Sequence, residues 1–329
     1  MSTESGTSLP APQSSLTTES APASTTQPHS SPTRDAKSDS EGKTNDQRTN
    51  GTPTAPRRNG VRIARFDITG TDEVDESTIE ALRRLAPNGR VLLQFSCGKD
   101  SLAAWVTLVK HGFTVVPVYK EVFPDLSFMN RVVSAYEEYF KTPIWKIPHR
   151  SIFLGLLAKY GNPEFMNRAN FDKMTEFAST EAAQVRDRRY AVEYMLKEHN
   201  CDICVVGTKA SDNLSRRVNF QVGGPFNANE MTFALTWRLK KNAPFDIMLK
   251  DGMPIPGFYL WLGRSPEFTF DAEYWFIRKY YPSDYAIIKA MLPNIDVRVK
   301  TFEMNIKPRL LLPVKAMLQA KKDGRTFIM

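Results

Sequence analysis

One stretch constrains this chain more than any other, and it reads VLLQFSCGKDS from Val91. Its first five residues are short and apolar enough for a buried strand, and its last six are small or polar and turn the chain. Leu102, Val106 and Val109 then recur at helical spacing. A strand, a small-residue turn and a helix together place free backbone N–H groups and the positive end of a helix where an anion can bind.

The residues of the turn suit this use. Gly98 permits a positive φ and a close approach of a ligand to the backbone. Asp100 or Ser101 is predicted to cap the helix, since a side-chain oxygen there accepts from a free backbone N–H group. The spacing differs from that of a Walker P-loop. It resembles instead the PP-loop, Ser-x-Gly-x-Asp-Ser, of the N-type ATP pyrophosphatases, and the chain is similar to their phosphoadenosine phosphosulfate (PAPS) reductase-like branch.

This resemblance implies an adenine nucleotide α-hydrolase-like fold and an enzyme that cleaves ATP between its α and β phosphates. It implies that Ser96, Gly98 and Ser101 wrap the pyrophosphate with backbone and hydroxyl donors. It also implies that Lys99 adds a positive charge and that Asp100 holds the loop or a Mg²⁺ ion. The alternative is an ordinary strand-to-helix turn with a glycine and a cap.

A second loop, GTKASDNLSRR from Gly207, follows another apolar run and resembles the Gly-x-Arg-x-x-Glu-Ser-x-x-Arg loop of the same family. Lys209 stands where arginine is commoner, and Asp212 stands for glutamate. Lys209, Arg216 and Arg217 place three positive charges beside the predicted crevice, where they suit phosphate or sulfate. The resemblance makes Gly207 and Arg217 cofactor-binding candidates and Lys209 and Arg216 catalytic ones, whereas the alternative is a solvated basic loop.

Two further residues are candidates on weaker patterns. Tyr119 ends a valine-rich run, and in the family the backbone at this strand end contacts adenine; a core aromatic residue is the alternative. Lys120 and Glu121 replace the Asp-Thr that the family carries next. Arg264 closes the run GFYLWLGR, which together with YYPSDY and MLP is similar to the C-terminal part of bacteriophage members; it either reaches the site or has a capping or surface role.

Apolar runs that alternate with helical patterns predict an α/β fold, with a doubly wound, mostly parallel sheet. Ligands of such sheets bind beyond the carboxyl ends of the strands, so the two loops are expected to meet over one crevice. The strands are predicted over Val91–Phe95, Thr114–Tyr119, Thr142–Ile147 and Asp202–Gly207. The helices are predicted over Asp75–Leu85, from the first loop to His111, and over Ser127–Phe140, Ser151–Tyr160 and about Thr175–Glu198, with an extended piece at Val61–Ile68.

The amino-acid composition separates residues 1–60 from the rest of the chain. Residues 1–60 are rich in Ser, Thr, Pro and Ala and contain no Phe, Trp, Tyr or Cys, which predicts a disordered arm. Its six basic and six acidic residues cancel, so the formal net charge of +8 lies on residues 61–329. That part is predicted to form one PP-loop domain, with a nucleotide-binding core at about 90–220 and a C-terminal extension at about 221–329.

The number and spacing of the cysteines limit the cellular compartment and the metal or redox chemistry that can be expected. Three cysteines are too few for a disulfide framework and favour a reducing compartment. Cys201 and Cys204 have C-x-x-C spacing, but in an extended strand they would face opposite sides and could not easily grip one metal. No cysteine follows Cys204, so the chain lacks the catalytic cysteine that PAPS reductases carry near their C-terminus. No run of about 18 apolar residues occurs, so no membrane contact is expected, and the location is predicted to be cytoplasmic, in the host if the chain is phage-encoded.

The sequence therefore predicts an adenine-nucleotide-binding PP-loop enzyme that uses ATP, or PAPS, and Mg²⁺. It activates an unknown acceptor by adenylylation with release of pyrophosphate, in sulfur transfer or nucleic-acid base modification. One alternative is a catalytically silent protein that binds ATP or PAPS. Another is a DNA-binding partner protein, in which the basic domain and Arg186, Arg188 and Arg189 contact DNA, unless these arginines form a solvated face beside Asp187 and Glu193.

Overall fold

The short apolar runs form the centre of a six-stranded sheet. The computed structural model describes residues 65–161, 188–305 and 315–328, which lie within one unit from Val61 to Met329. The strands of the sheet are β1 (Arg90–Phe95), β2 (Thr114–Glu121), β3 (Trp145–Pro148), β4 (Ile203–Val206), β5 (Phe226–Asn227) and β6 (Thr232–Ala234). Their spatial order is β3-β2-β1-β4-β6-β5, and every neighbouring pair is parallel except β5 with β6.

Helices connect and cover these strands. In chain order they are α1 (Glu76–Leu85), α2 (Lys99–Lys110), α3 (Ser127–Phe140), α4 (Arg150–Tyr160), α5 (Arg188–Glu198), α6 (Leu214–Gly223), α7 (Ala243–Lys250), α8 (Phe258–Trp261), α9 (Asp271–Tyr280), α10 (Pro282–Met291), α11 (Ile295–Asn305) and α12 (Lys315–Lys322). A small separate sheet pairs β7 (Ile255–Pro256) with β8 (Phe327–Ile328).

Side chains of β1 alternate between two apolar clusters, one on each face of the sheet. Val91, Leu93 and Phe95 belong to the larger cluster, which includes residues of α1, α2, α3 and the C-terminal helices. Leu92 belongs to a smaller cluster with residues of α5, such as Val192. A strand covered on both faces is largely apolar, and four of the six residues of β1 are apolar, with only Arg90 and Gln94 polar and partly exposed. The predicted α/β fold with a doubly wound, mostly parallel sheet is confirmed.

Most predicted elements are found, with shifts at their ends. The helix predicted at Ser127–Phe140 has those bounds, whereas the third strand begins only at Trp145. The backbone N–H of Ile144, just before that strand, donates to the Glu137 carboxylate and not to β2. From Arg65 to Gly70 the chain forms no strand, so the described part of the predicted first extended piece is not regular.

Several sequence predictions fall outside the described residues. These include the arm at 1–60, the first part of the long helix predicted from about Thr175, and Arg186. Of that helix the structure describes α5, and the DNA-binding alternative stays a prediction. Within the described ranges, no helix combines the length and the apolar character that a membrane crossing requires.

The C-terminal part completes the sheet domain in a way that the local sequence did not predict. β6 pairs with β4 and extends the parallel sheet. Asp284 on α10 is buried and accepts from the backbone N–H groups of Ser127 and Phe128 at 2.9 and 3.1 Å, and from the Ser127 hydroxyl at 3.0 Å. It thereby caps α3 from a position more than 150 residues away in sequence.

Substitution of this cap is expected to destabilise the fold. Asp284→Ala leaves the first N–H groups of α3 without acceptors in a buried setting, which costs about 2 kcal/mol. Urea unfolding followed by circular dichroism measures the free energy of unfolding. Glu80→Ala, an exposed acidic position on α1, is the control and is expected to change that energy by less than about 0.5 kcal/mol. Equal costs for the two variants would contradict the capping role.

Candidate functional site

The two loops singled out by the sequence meet at one edge of the sheet. From β1 the chain moves to β2 and β3 on one side, and β4 lies on the other side of β1. The strand order therefore reverses between β1 and β4, and such a switch point leaves a crevice beyond the carboxyl ends of the two strands. The loop after β1 and the loop after β4 both begin at this crevice. The predicted meeting of the two loops is confirmed, because the Lys209 ammonium contacts the Asp100 carboxylate.

The first loop takes its shape from Cys97 and two serines. Cys97 has the positive φ, 55°, whereas Gly98 has a φ of −94° and does not use the positive φ that a glycine permits. The Ser101 hydroxyl donates to the Gly98 carbonyl at 2.9 Å, and its oxygen accepts from the Ser96 N–H at 3.2 Å. The helix begins at Lys99 without a side-chain cap, so the prediction that Asp100 or Ser101 caps it was wrong.

Gly98 is nevertheless required for space. A Cβ atom there would lie 2.9 Å from the Ser265 hydroxyl oxygen and 3.1 Å from that of Ser96. Gly207 of the second loop is tighter still, since a Cβ would lie 2.7 Å from both the Asp100 carbonyl carbon and the Ser101 nitrogen. The two loops therefore touch through backbone, which places the loop after β4 directly against the start of α2.

Beneath the loops runs a row of alternating charges. Lys209 has no exposed side-chain surface; its ammonium contacts Asp100 and lies 2.9 Å from Asp212. Asp100 also accepts from the Lys99 ammonium at 2.7 Å, and Asp212 pairs with Arg216. The row thus reads Lys99, Asp100, Lys209, Asp212, Arg216. Because each buried charge has a partner of opposite sign, the row can remain charged inside the fold.

The two lysines of the row respond differently to burial. Burial lowers the pKa of Lys99, and the nearby Lys209 ammonium adds to this against the attraction of Asp100. Burial also works against the charge of Lys209, but the contacts with Asp100 and Asp212 outweigh it and raise the pKa of Lys209. Lys209 is therefore held as an ammonium ion that ties the two loops together.

A cleft of about 1610 Å³ opens above this row. From the first loop and β2 it is lined by Ser96, Gly98, Asp100, Ser101, Tyr119 and Lys120, and from the second loop and α6 by Gly207, Thr208, Asp212, Arg216, Asn219 and Phe220. Neither Lys99 nor Lys209 lines it. The predicted place of both positive charges beside a bound phosphate stays a prediction; in this structure the Lys99 ammonium lies 5.7 Å from the Phe245 ring centre, and the Lys209 side chain is buried.

Of the basic residues predicted from the second loop, Arg216 alone lines the cleft. Asn213 caps α6, since its side-chain oxygen accepts from the Arg216 N–H at 2.8 Å. This fixes the helix start, and Arg216 is about half exposed in the cleft while it pairs with Asp212. Arg217 is exposed on α6 and does not line the cleft, so the structure does not bring it to the other candidates.

Of the two candidates from weaker patterns, Tyr119 lines the cleft and Arg264 does not. Tyr119 lies at the end of β2 opposite Phe95 and lines the cleft, although it is 5% exposed. Burial raises the pKa of its phenol well above the ordinary range. Arg264 does not line the cleft; its guanidinium donates to the buried Glu273 at 3.1 Å and stacks 3.4 Å from the Phe270 ring centre. Its role is therefore structural.

A third group of residues at the cleft comes from the C-terminal part. The Lys99 N–H, first in α2, donates to the Tyr259 hydroxyl at 2.6 Å. Ser265, six residues further on, lines the cleft beside Gly98. Sequence reasoning missed both; the only signal was the aromatic run GFYLWLGR that precedes Ser265.

The donor set around Asp100 does not fit a dedicated Mg²⁺ site. Asp100 was the predicted ligand, yet its two oxygens each accept from a lysine ammonium, Lys99 for one and Lys209 for the other. Among the residues that the structure describes, no cluster of three or more His, Cys, Asp or Glu side chains could hold a metal ion. Mg²⁺ prefers several oxygen ligands and keeps away from ammonium groups.

None of the three cysteines lines the cleft, although Cys97 belongs to the first loop. Cys97, Cys201 and Cys204 are all free thiols. Cys201 precedes β4 and does not belong to it, so both it and Cys204 pack against the smaller apolar cluster, contrary to the expectation of opposite faces. Burial raises the pKa of the Cys97 thiol far above its ordinary value, which keeps it neutral.

Comparisons with known proteins give a coarse likeness only. No family model and no curated protein matches the chain. The FMN adenylyltransferase of Candida glabrata in complex with ATP is similar with a TM-score of 0.33 and 11% identity over 58% of this chain and 61% of that enzyme, about three fifths of its length. The NH3-dependent NAD synthetase of Campylobacter jejuni subsp. jejuni in complex with the nitrate ion gives 0.36 and 15% over 70% and 95%. The resemblance to PAPS reductase-like and bacteriophage proteins stays a prediction, and at these scores only the geometry of the site supports a function.

Proposed function

We propose that the cleft binds ATP by its phosphates and that the chain transfers the adenylyl group to an acceptor with release of pyrophosphate. The meeting of the two loops at the switch point of the sheet carries this proposal. Ligands of open α/β sheets bind at such points, and a small-residue turn before a helix offers backbone donors to an anion. The cleft of about 1610 Å³ has room for a nucleotide and a second substrate.

In this proposal the phosphates lie against the first loop, whose residues Ser96, Gly98 and Ser101 line the cleft. The exposed Ser96 hydroxyl and the Arg216 guanidinium contact them. An acceptor oxygen forms a bond to the α-phosphorus, the bond between the α-phosphorus and the bridging oxygen breaks, and pyrophosphate leaves with that electron pair. Arg216 stabilises the charge that develops on the leaving group. No step is assigned to Mg²⁺, because both oxygens of the predicted ligand Asp100 accept from lysine ammonium groups.

In this proposal the row of alternating charges supports the shape of the two loops. Lys99, Asp100 and Lys209, which the sequence placed in catalysis, hold the loop in shape and act on the nucleotide only through its geometry. Gly207 keeps the second loop in contact with the first. Tyr119 forms a wall of the cleft near the end of β2, where the base of the nucleotide is proposed to lie.

A matched pair of arginines tests the proposal. Arg216→Ala removes the arginine that lines the cleft, and Arg217→Ala removes its exposed neighbour on the same helix. The Kd for ATP, measured by isothermal titration calorimetry, is expected to rise about tenfold in the first variant and less than about twofold in the second, because a charge-assisted contact to phosphate is worth at least ~1.4 kcal/mol. Absence of ATP binding by the unmodified chain would contradict the proposal.

The second candidate is a protein that binds the nucleotide without turning it over. The placement of Lys99 and Lys209 outside the cleft favours it, since neither ammonium faces the position of a leaving phosphate. A pyrophosphate-release assay with ATP and candidate acceptors separates the two. ATP binding without pyrophosphate release across sulfur compounds, nucleic acids and small metabolites supports the second candidate.

The more specific predictions about the nucleotide and the chemistry need experiments of the same kind. PAPS in place of ATP, sulfur transfer and nucleic-acid base modification stay predictions, as does the role of bacteriophage relatives. A competition titration of PAPS against ATP identifies the preferred nucleotide. Salt-dependent DNA binding that persists in Arg216→Ala would favour the DNA-binding alternative, because that surface would then be separate from the cleft.

A further inference from the structure

One polar side chain interrupts the apolar centre of the sheet. β1 has the sequence RVLLQF, and Gln94 is its only polar residue besides Arg90 at the start of the strand. Side chains alternate along a strand, so Gln94 lies on the same face as Leu92, which is the face that α5 covers. Gln94 is partly exposed and lines the cleft. A polar group in the middle of a sheet costs stability unless it finds a hydrogen-bond partner, so its place beside the cleft is informative.

Two valines lie beside Gln94 on the neighbouring strands. Val118 of β2 is its register partner. On β4 the register partner of Leu93 is Val205, so Val206 lies next to Gln94. Val118 belongs to the smaller apolar cluster and Val206 packs against it, and both line the cleft. Three adjacent strands thus form a floor that is polar in the middle and apolar on both sides, with a width of about 10 Å from the usual spacing of strands.

Further apolar side chains border this floor. Ile147 on β3 packs against the same smaller cluster and lines the cleft. Ala191 on α5 lines it as well. Small-molecule sites combine apolar walls with a few polar groups that fix the orientation of the ligand. Apolar side chains around one amide therefore suit a planar ring, whose faces contact the apolar groups while its edge bonds to Gln94.

The amide of Gln94 has hydrogen bonds to offer to such a ring. An amide side chain carries an acceptor oxygen and two N–H donors. Within the described ranges, no hydrogen bond to this amide is found, and the single buried side-chain polar atom there that lacks a partner is the Thr71 hydroxyl oxygen. The Gln94 amide is therefore open to the cleft and not sealed in the core. A ligand that replaces water on the amide can engage both its donor and its acceptor.

The distance from the first loop suits the base of a nucleotide. Gln94 precedes Ser96 by two residues, which corresponds to about 7 Å of extended chain. Phosphates bound against the first loop therefore leave space for a sugar between the loop and the amide. The floor also includes Val118, next to Tyr119 at the end of β2, where the base is proposed to lie.

We propose that Gln94 recognises the base of the nucleotide: its amide oxygen accepts from the exocyclic amino group of adenine, and its amide N–H donates to the adjacent ring nitrogen. Glutamine and adenine form such paired hydrogen bonds because each offers a donor next to an acceptor. Val118 and Val206 contact the ring on either side of the amide. The inference rests on the proposed function and deepens it, since it assigns the ligand class as a nucleotide whose base carries an amino group beside a ring nitrogen.

Gln94→Leu tests the inference with a matched pair of ligands, ATP and purine riboside 5′-triphosphate, which lacks the amino group. In the unmodified chain the Kd from isothermal titration calorimetry is expected to be about fivefold lower for ATP, because the analogue loses one hydrogen bond. In Gln94→Leu the Kd for ATP is expected to rise about tenfold and to equal that of the analogue, since leucine has a similar volume but no hydrogen-bonding group. Gln319→Leu, at an exposed glutamine of α12 outside the cleft, is the control and is expected to keep both values.

The outcomes separate this inference from the proposed function, with inorganic tripolyphosphate as a ligand that has no base. A chain that binds no ATP overturns both. A chain that binds ATP, weakens in Arg216→Ala and stays unchanged in Gln94→Leu overturns the inference alone. Equal losses for ATP and tripolyphosphate in Gln94→Leu overturn it too, because a merely structural role affects both ligands. If Gln94→Leu does not fold, Gln94→Met, which is unbranched like glutamine, decides by the same ratio of the affinities for ATP and the purine analogue.

Discussion

Replacement of Lys209 by methionine is expected to destabilise the protein by about 3 kcal/mol. The side chain is fully buried, and its ammonium is the shared partner of Asp100 and Asp212. Methionine fills a similar volume but leaves two carboxylates close together with one cation fewer. Breaking a buried ion pair from one side costs about 3–5 kcal/mol, and the lower end applies here because both carboxylates are a quarter exposed. Urea unfolding followed by circular dichroism measures the change.

A surface lysine provides the matched control. Lys240 pairs with Asp72, and both side chains are more than half exposed. Lys240→Met is expected to cost less than about 1 kcal/mol, since solvent screens such a pair. Adding Asp100→Asn to Lys209→Met is expected to recover part of the loss, because it removes one of the carboxylates that lack a partner. A cost for Lys209→Met no larger than that of Lys240→Met would show that the buried row does not hold the loops.

This expectation changes the meaning of the basic residues in the second loop. The sequence gives three positive side chains after β4 and no means to tell which of them faces the ligand. Lys209 does not face the cleft because of Asp100. The Asp100 carboxylate, about a hundred residues earlier in the chain, accepts from the Lys209 ammonium and holds it under the loop. Arg216 lies in the first turn of α6, four residues after Asp212, which precedes the helix; it pairs with that carboxylate at the surface and lines the cleft.

The sequence predicted those features that depend on neighbouring residues. The run from Val91 to Phe95 is apolar on both faces, which predicts a central parallel strand, and β1 is central. The small residues after it predict a turn into a helix, and α2 begins at Lys99. From these two facts the position of the crevice follows, because the carboxyl ends of parallel strands lie at one edge.

What the sequence could not predict depends on distant partners. Tyr259 reaches the start of α2 from 160 residues away, and nothing in the residues around Lys99 indicates it. Asp284 caps α3 in the same way, although α3 has no side-chain cap of its own next to it in sequence. The positive φ of the turn lies at Cys97 and not at the glycine that permits one, in a turn that the two hydrogen bonds of the Ser101 hydroxyl hold together.

The charges at the surface of the cleft depend on the row of alternating charges. Asp100 and Asp212 line the cleft and belong to the buried row, so their negative charge is offset from below by lysines that do not face the ligand. An anion in the cleft therefore meets Arg216, hydroxyl groups and backbone, with the lysine charges one layer deeper. This layered arrangement makes the contact between the loops as important for binding as the residues on the cleft surface.

Gly207→Ala is expected to separate the two loops. The added Cβ would lie 2.7 Å from the carbonyl carbon of Asp100 and from the nitrogen of Ser101, both backbone atoms that cannot rotate away. The loop after β4 must then shift, which costs about 1–3 kcal/mol in unfolding free energy and displaces Lys209 from Asp100. We expect the Kd for ATP to rise at least about tenfold, because a shift of about 1 Å at a binding site is enough to disrupt it.

Gly155→Ala on α4 is the control for this substitution. A Cβ there meets no atom within 4 Å, so alanine in place of glycine in a helix is expected to stabilise the fold by about 0.5–1 kcal/mol and leave the Kd unchanged. Thermal unfolding and calorimetry with ATP are measured on both variants under the same conditions. If Gly207→Ala unfolds at the temperature of the unmodified chain and binds ATP equally well, the loops do not need their backbone contact. The junction of β1 and β4 would then not be the binding site, since the tightest contact in that junction would have been removed without effect.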